Sequence, residues 1–499
     1  MIDSTRAAVA PLELEDGLVL AAAVALPWAF GGVAPWAYRS AALLLVLAFA
    51  VVWLRRGSLG LALDRRARWL LPAALLGGWA ALQLVPLPAV VVGQLSPRAA
   101  ALERQTFPDL AGIPPGPPAE RIELLALEQV EELRGRTPAA RPDDAPLAHP
   151  RGRWSGWRPL SLLPEAGAER LHWYVALLAV FVVVRARAAD REVAAAYRWL
   201  LFASFLALAL LGLVHAATAQ GTVYWTRRTI ESSRPFGPYV NPAHFAGVME
   251  LAVPWLAGAT WDAWRQARRS GFRGSGAPLL VAATLLCLSA GLATSSKAAP
   301  LLLGGSLAAL ALLLARSTRA RLATAGVIVV VVGMAVFGAR ILPSSERVGD
   351  LLATTGRDPM QVDRVVAWGA ALPMLRDFAI TGCGYGAFGD VFPAYLPTGE
   401  RLRWEQMHND FLEAALSGGA IGTGLLLWLL GGYARRAARR LADARRAADG
   451  ATVGLGLGLV ALTAHALFDF NHQIPANALL FVVLAALAVA GADDGSEGR

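Results

Sequence analysis

The chain has 499 residues, 56% of them hydrophobic and only 17% charged. A water-soluble protein of that length exposes far more charge, so the composition excludes an ordinary soluble enzyme and indicates a polytopic membrane protein. The formal net charge of +9 fits basic cytoplasmic loops, and no nucleic-acid partner is expected.

A helix needs about 20 apolar residues to cross roughly 30 Å of hydrocarbon, and about twelve segments approach that length. They are 17–34, 37–54, 69–86, 170–185, 197–216, 240–260, 278–294, 298–315, 322–339, 413–433, 451–468 and 474–491. The expected fold is therefore an all-α polytopic membrane protein, one membrane domain over 1–499 with long external loops. The residues before 17–34 carry more acids than bases, a poor signal-peptide start, so that segment is read as a retained span. With this alternation the basic loops 55–68, 185–191, 265–273, 316–321 and 435–446 share one side. Basic short loops stay in the cytoplasm, which puts both termini inside and the long loops outside.

Residues 97–169 read as an irregular, Pro-rich external loop with PPGPP at 114–118 and one charged amphipathic piece at 119–135. Further on, SSRPFGPYVNPAHFAG (232–247) opens the sixth span. There Asn241 can start the helix with Pro242 in its favoured first position. Arg234 beside that helix start suits an anion, since free N–H groups and the helix dipole add to its charge; the alternative is an arginine reaching lipid headgroups. Lys297, the only lysine, lies in the short turn SSKA (295–298), where it is either an interfacial anchor or a second cation of the same site.

Residues 340–412 look more ordered. VDRVVAWGAALPMLRD (362–377) has helical spacing and carries Arg364 and Trp368, an i, i+4 pair able to stack. TGCGYGAFGD (381–390) is a glycine-rich turn where backbone can approach something closely. His408, Asn409 and Asp410 follow, with Glu413 one turn on. Asn409 and Asp410 can serve as caps for the next span, and His408 taken alone reads more readily as a local hydrogen-bonding group than as a catalyst. The last external turn, HALFDFNHQIP (465–475), brings His465, Asp469 and His472 to the same face.

Together, several cations around one histidine suit a phosphate-bearing substrate and a proton acceptor. Cys287 and Cys383 form no metal pattern, and there is no P-loop or HExxH. No metal and no cofactor are expected.

These motifs resemble the O-antigen ligase and polymerase family. The resemblance rests on RPFGPYVNPAHFA (234–246), SSKA (295–298), DRVVAWGAAL (363–372), GCGYGAF (382–388), HNDFLEAALSGGAIG (408–422) and HALFDF (465–470), in that order. It implies a multi-helix, membrane-embedded glycosyltransferase, inverting and metal-independent, in the bacterial inner membrane with its active site facing the periplasm. The implied donor is a glycan on undecaprenyl diphosphate; the implied acceptor is lipid A–core for a ligase or a second carrier-linked glycan for a polymerase. By the same resemblance Arg234 and Arg364, with Lys297, would hold the diphosphate and His408 would act as base. Asn241, Asn409, Asp410, His465 and Asp469 would support them. The family often has arginine where Lys297 stands, and lysine lacks the bidentate fork. A transporter of lipid-linked glycans or small anions would instead place ionisable groups near the midplane and break helices in matched halves, and here Glu250 is the main buried exception. A non-catalytic scaffold would tolerate loss of His408.

Overall fold

The computed structural model describes residues 12–56, 69–106, 156–218, 222–228, 235–271, 275–294, 296–315, 317, 319, 359–396 and 404–490. They are overwhelmingly helical. The first helices are α1 (Leu14–Trp28), α2 (Pro35–Arg56), α3 (Leu71–Leu84), α4 (Ala89–Leu95) and α5 (Pro97–Thr106). After them come α6 (Pro164–Arg187), α7 (Arg191–Thr218), α8 (Pro242–Ser270), α9 (Ala277–Ala293) and α10 (Ala299–Leu314). The C-terminal part holds α11 (Pro359–Asp377), α12 (Asp410–Ala447), α13 (Gly450–His465) and α14 (Pro475–Val489). Two short antiparallel ribbons, Leu87–Pro88 with Trp157–Arg158 and Thr222–Val223 with Arg227–Arg228, close loops between helices.

Among the described residues, four helices are long and apolar enough to cross a membrane: Pro35–Arg55, Pro164–Arg187, Arg191–Thr218 and Asp410–Ala447. Shorter apolar helices, among them α3, α9, α10, α13 and α14, pack with them. This is a helical membrane protein. The expected span 322–339 and the amphipathic piece 119–135 lie outside the described residues.

Several boundaries differ from the sequence expectation: the basic stretches 265–273 and 435–446, expected as loops, largely continue α8 and α12 as helix. The 97–169 segment is not irregular at its ends: α5 starts on Pro97 and α6 on Pro164. Proline, read there as a loop signal, is well tolerated in the first helical turn, where its missing N–H has no partner to lose. For the same reason α6 begins six residues before the expected span.

The tightest contact in the bundle runs between α8 and α13. A Cβ on Gly454 would lie 1.9 Å from the Pro254 carbonyl oxygen, and one on Gly458 2.7 Å from that of Leu251. Gly258 is equally close to the Gly450 carbonyl oxygen. Glycines four apart on α13 thus present a bare stripe, and the two backbones touch, as small residues allow between membrane helices.

At the other end of α6 the arginines that mark loop orientation do more than meet water. Arg187 is buried and donates to Asp16 at 2.6 Å and to Glu13 at 3.0 Å. Tyr197 donates to the same Asp16, and Arg55 adds a contact to Glu13 at 2.9 Å. Breaking one partner of such a buried pair typically costs about 3–5 kcal/mol, so this cluster locks α1, α2, α6 and α7 together.

Helix α12 is broken. Gly419 has φ 63° and ψ −164°, which interrupts the ladder and frees carbonyls in mid-segment. Within a membrane span such groups need partners from the protein. Gln83 of α3, itself buried, donates to the carbonyls of Thr381 at 2.6 Å and Ser417 at 3.0 Å, and Trp79 donates to that of Gly418 at 3.0 Å. The glycine turn completes the set: Cys383 N–H reaches Leu416 O at 3.0 Å and Gly384 N–H reaches Ser417 O at 3.1 Å. The close approach expected of that turn is therefore to α12 and α3, and Gly382, at φ +73°, has no room for a side chain against Ser417.

Candidate functional site

The break in α12 sets its first two turns, and the residues before them, against the turn between α13 and α14. Asn409 caps α12 by accepting from Leu412 N–H at 3.0 Å. Asp410 ties the two segments: its own N–H donates to Ala466 O at 2.9 Å. Its carboxylate accepts from His472 N–H at 2.9 Å and from the Gln473 amide at 3.1 Å. Glu413 reaches back to the Met407 N–H at 2.7 Å. These three residues fix the backbone on either side of His408.

His408 itself has φ +50°. A non-glycine residue in the left-handed region is uncommon and costs of order 1–3 kcal/mol, strain that persists only where surroundings enforce it and that clusters at functional sites. The backbone places the ring between Trp404 and Phe470, at centroid distances of 5.8 and 4.8 Å. Its Nδ1 lies 3.2 Å from Asp469 Oδ1 and 3.3 Å from Arg364 Nη2. A guanidinium donates only, so of these two groups the carboxylate alone can accept a proton from Nδ1. With its proton on Nδ1 the neutral ring donates to Asp469 and keeps its lone pair on Nε2; with the proton on Nε2, Nδ1 would accept from Arg364 instead, and the buried carboxylate at the shorter distance favours the first.

Asp469 is buried at 3% exposure. Burial by itself pushes its carboxyl up, but hydrogen bonds from His244 and His408 and the charges of those rings outweigh it, holding Asp469 well below the ordinary carboxylate range. His244 approaches the same oxygen to 3.7 Å. Arg364 is steadied by donation from Nη1 to the Phe468 carbonyl at 2.8 Å, while its shielded Nε has no partner among the described residues. Trp368 does not spend its indole on Arg364 but donates to Met407 O at 3.0 Å, joining α11 to the strained segment.

The structure therefore brings together Arg364, His408 and Asp469, with His465 next behind: its Nε2 is 4.0 Å from Asp469 Oδ2. Asn241 caps α8 by accepting from Ala243 N–H at 2.9 Å, one turn below His244. Lys297 stands exposed in the turn between α9 and α10. Arg234 lies outside the described residues. His244 and Phe470 were not singled out from sequence, although both sit inside quoted motifs. His244 is the third residue of α8 after its cap, an end position where a histidine looks like a helix-start residue until Asp469 is seen beside it.

A cavity of about 600 Å³ borders this cluster through His244 and Phe470. Aromatic rings of Phe30, Tyr38 and Trp173 and the amides of Asn241, Gln406 and Gln473 face it, with Glu169 and Arg170 adding charge. Flat rings interleaved with amides and carboxylates suit a hydroxyl-rich ligand. A second cavity of about 420 Å³ shares Arg170 and Gln473 with the first and runs among apolar side chains of α3, α6, α12 and α14, including Leu76, Leu177, Leu430 and Phe481. Cys383, the cysteine nearest these groups in sequence, is fully buried and its thiol is pushed up to about 12 by that burial, so it is no nucleophile.

No curated protein matches the chain. Residues 282–427 match the family model described as O-Antigen ligase, a stretch that includes Lys297, Arg364, the glycine turn, His408 and the break in α12. Over that stretch, less than a third of its length, the chain is similar to the O-antigen ligase family.

Proposed function

We propose that the protein transfers a glycan from an undecaprenyl-diphosphate carrier to a sugar hydroxyl at the outer face of the inner membrane, as an O-antigen ligase would. The observation that carries this reading is the Asp469–His408–Arg364 arrangement: one carboxylate-oriented imidazole with a guanidinium at its side.

The chemistry follows from those groups. The acceptor hydroxyl gives its proton to His408 Nε2 as its oxygen attacks the anomeric carbon of the donor. The bond from that carbon to the diphosphate breaks on the opposite face, so the configuration inverts, and the released diphosphate carries the new negative charge. Arg364, with Arg234 and Lys297 as further cations, stabilises that charge, commonly the largest contribution in such catalysis. The imidazolium that forms on His408 is stabilised by Asp469 and returns its proton to the diphosphate or to solvent. General-base assistance of this type is worth about 10²–10⁴-fold.

The 600 Å³ cavity, which meets the cluster at His244 and Phe470, supports a sugar-bearing ligand, and the apolar cavity next to it supports a lipid-linked one. The direct test supplies liposomes containing the protein with a diphosphate-linked oligosaccharide and two acceptors, lipid A–core and a second carrier-linked repeat unit. Transfer to lipid A–core, lost in His408→Ala, supports the ligase reading. Transfer to the carrier-linked repeat makes the protein a polymerase of the same family. Movement of the donor across the bilayer without any new glycosidic bond would make it a transporter.

A further inference from the structure

Behind the candidate site lies a buried pair that catalysis as just described does not use. Glu250 of α8 is fully buried, and both its carboxylate oxygens lie 3.0 Å from Nδ1 of His465 at the end of α13. The other ring nitrogen of His465 faces Asp469 Oδ2 at 4.0 Å, and Asp469 Oδ1 faces His408 Nδ1 at 3.2 Å. Four ionisable side chains thus stand in line, from a fully buried glutamate to a half-buried histidine. His244 flanks the line on α8 and Arg364 flanks it on α11.

An ionisable pair inside an apolar bundle is costly to keep, so it needs a reason. Holding α8 to α13 is a poor one. Those helices already meet backbone to backbone at Gly454 and Gly458, where no side chain fits between them. What the pair adds is direction. With Nδ1 committed to Glu250, the ring of His465 is fixed with Nε2 toward Asp469. Carrying a proton on each nitrogen, the ring turns its Nε2–H toward Asp469 and attracts Oδ2 by charge across 4.0 Å, which leaves Oδ1 aimed at His408.

We propose that Glu250 and His465 are positioning residues for the transfer reaction: acting through Asp469, they hold the carboxylate that orients His408. The inference rests on the glycan-transfer reading of the site. Neither residue touches substrate, so their loss slows turnover without weakening binding.

The experiment measures kcat and KM for donor and acceptor in liposomes for wild type, Glu250→Gln, the double variant Glu250→Leu/His465→Leu, and His408→Ala. Glu250→Gln keeps the shape and removes the charge. It is expected to lower kcat by about 10-fold to 100-fold, the range typical for loss of an outer-shell partner, with both KM values unchanged. The double variant replaces the pair with apolar side chains, an exchange that is often neutral or stabilising. It should keep the wild-type thermal midpoint and still show the kcat loss, which a merely structural role would not produce. Wild-type kcat in Glu250→Gln, or full rate restored in the stable double variant, overturns the inference. If wild type itself transfers nothing, or His408→Ala keeps full rate, the glycan-transfer reading fails first, and that result is distinct from the other two.

Discussion

Nδ1 of His408 and Oδ1 of Asp469 lie 3.2 Å apart, joining a strained residue before α12 to a buried carboxylate in the turn after α13. Their separation in sequence is bridged by the Asp410 contacts to Ala466, His472 and Gln473, which clamp the two segments in register. Because Asp469 sets which ring nitrogen is free, Asp469→Asn is expected to lower kcat about 10²-fold or more, within the range of general-base contributions. An asparagine can offer its N–H to Nδ1 and so favour the wrong tautomer. Glycan-transfer kinetics at saturating donor and acceptor check this. A loss confined to KM would assign Asp469 to binding instead.

The strain at His408 makes a second, separable prediction. Glycine adopts φ +50° without penalty, whereas alanine does not. His408→Gly and His408→Ala should therefore be equally inactive, while the glycine variant unfolds at the higher temperature. Thermal unfolding in detergent micelles reads the difference, expected at about 1 kcal/mol. Equal midpoints would mean that the left-handed conformation is not held against resistance.

Arg364 offers a third test. Its guanidinium spends one nitrogen on the Phe468 carbonyl and leaves Nε without a partner among the described residues, a geometry that lysine cannot reproduce. Arg364→Lys keeps the charge but loses the fork. It is expected to raise the donor KM about tenfold, roughly the 1.4 kcal/mol of one charge-assisted hydrogen bond, with a smaller effect on the acceptor KM. Equal changes for both substrates would argue that Arg364 orients the loop and not the diphosphate.

The elements follow from local signals, and their meaning from long-range contacts. Asn241 and Asn409 were legible as helix caps because capping involves only residues two or three positions on. Asp469 and His465 were legible as members of one face because span alternation places that turn with His408. Nothing local connects Gln83 to Ser417, or Arg187 to Asp16, since each partner lies on another helix. His244 was missed for the same reason: its significance is a carboxylate more than two hundred positions away. The glycine turn illustrates the intermediate case. Close approach was readable from Gly382, Gly384 and Gly386, but the approaching group is the broken backbone of α12 and the Ser161 segment, not a ligand.

That broken backbone carries its own prediction. Gln83→Leu removes the donor to the Thr381 carbonyl and one of the two donors to that of Ser417, and each unsatisfied buried group costs about 1–3 kcal/mol. The variant is expected to lose about 2–4 kcal/mol of stability, read as a lowered thermal midpoint, together with reduced transfer because His408 rides on the first turns of α12. An unchanged midpoint would mean that Trp79 and the glycine turn alone satisfy the break.

The depressed carboxyl of Asp469 makes stability depend on pH in a stated direction. Its folded pKa lies below the ordinary carboxylate value of about 3.9, so ionised Asp469 stabilises the fold at every pH above that value. As pH falls through the unfolded pKa and on toward the folded one, the unfolded chain takes up a proton first, and the contribution is lost. Wild type should therefore exceed Asp469→Asn in thermal midpoint at about pH 5, and the gap should shrink toward about pH 3. A gap that widened on acidification would require Asp469 to be protonated in the fold. In that state the carboxyl would donate to His408 instead of accepting from it, Nε2 would carry the ring proton, and the base proposed for glycan transfer would be blocked.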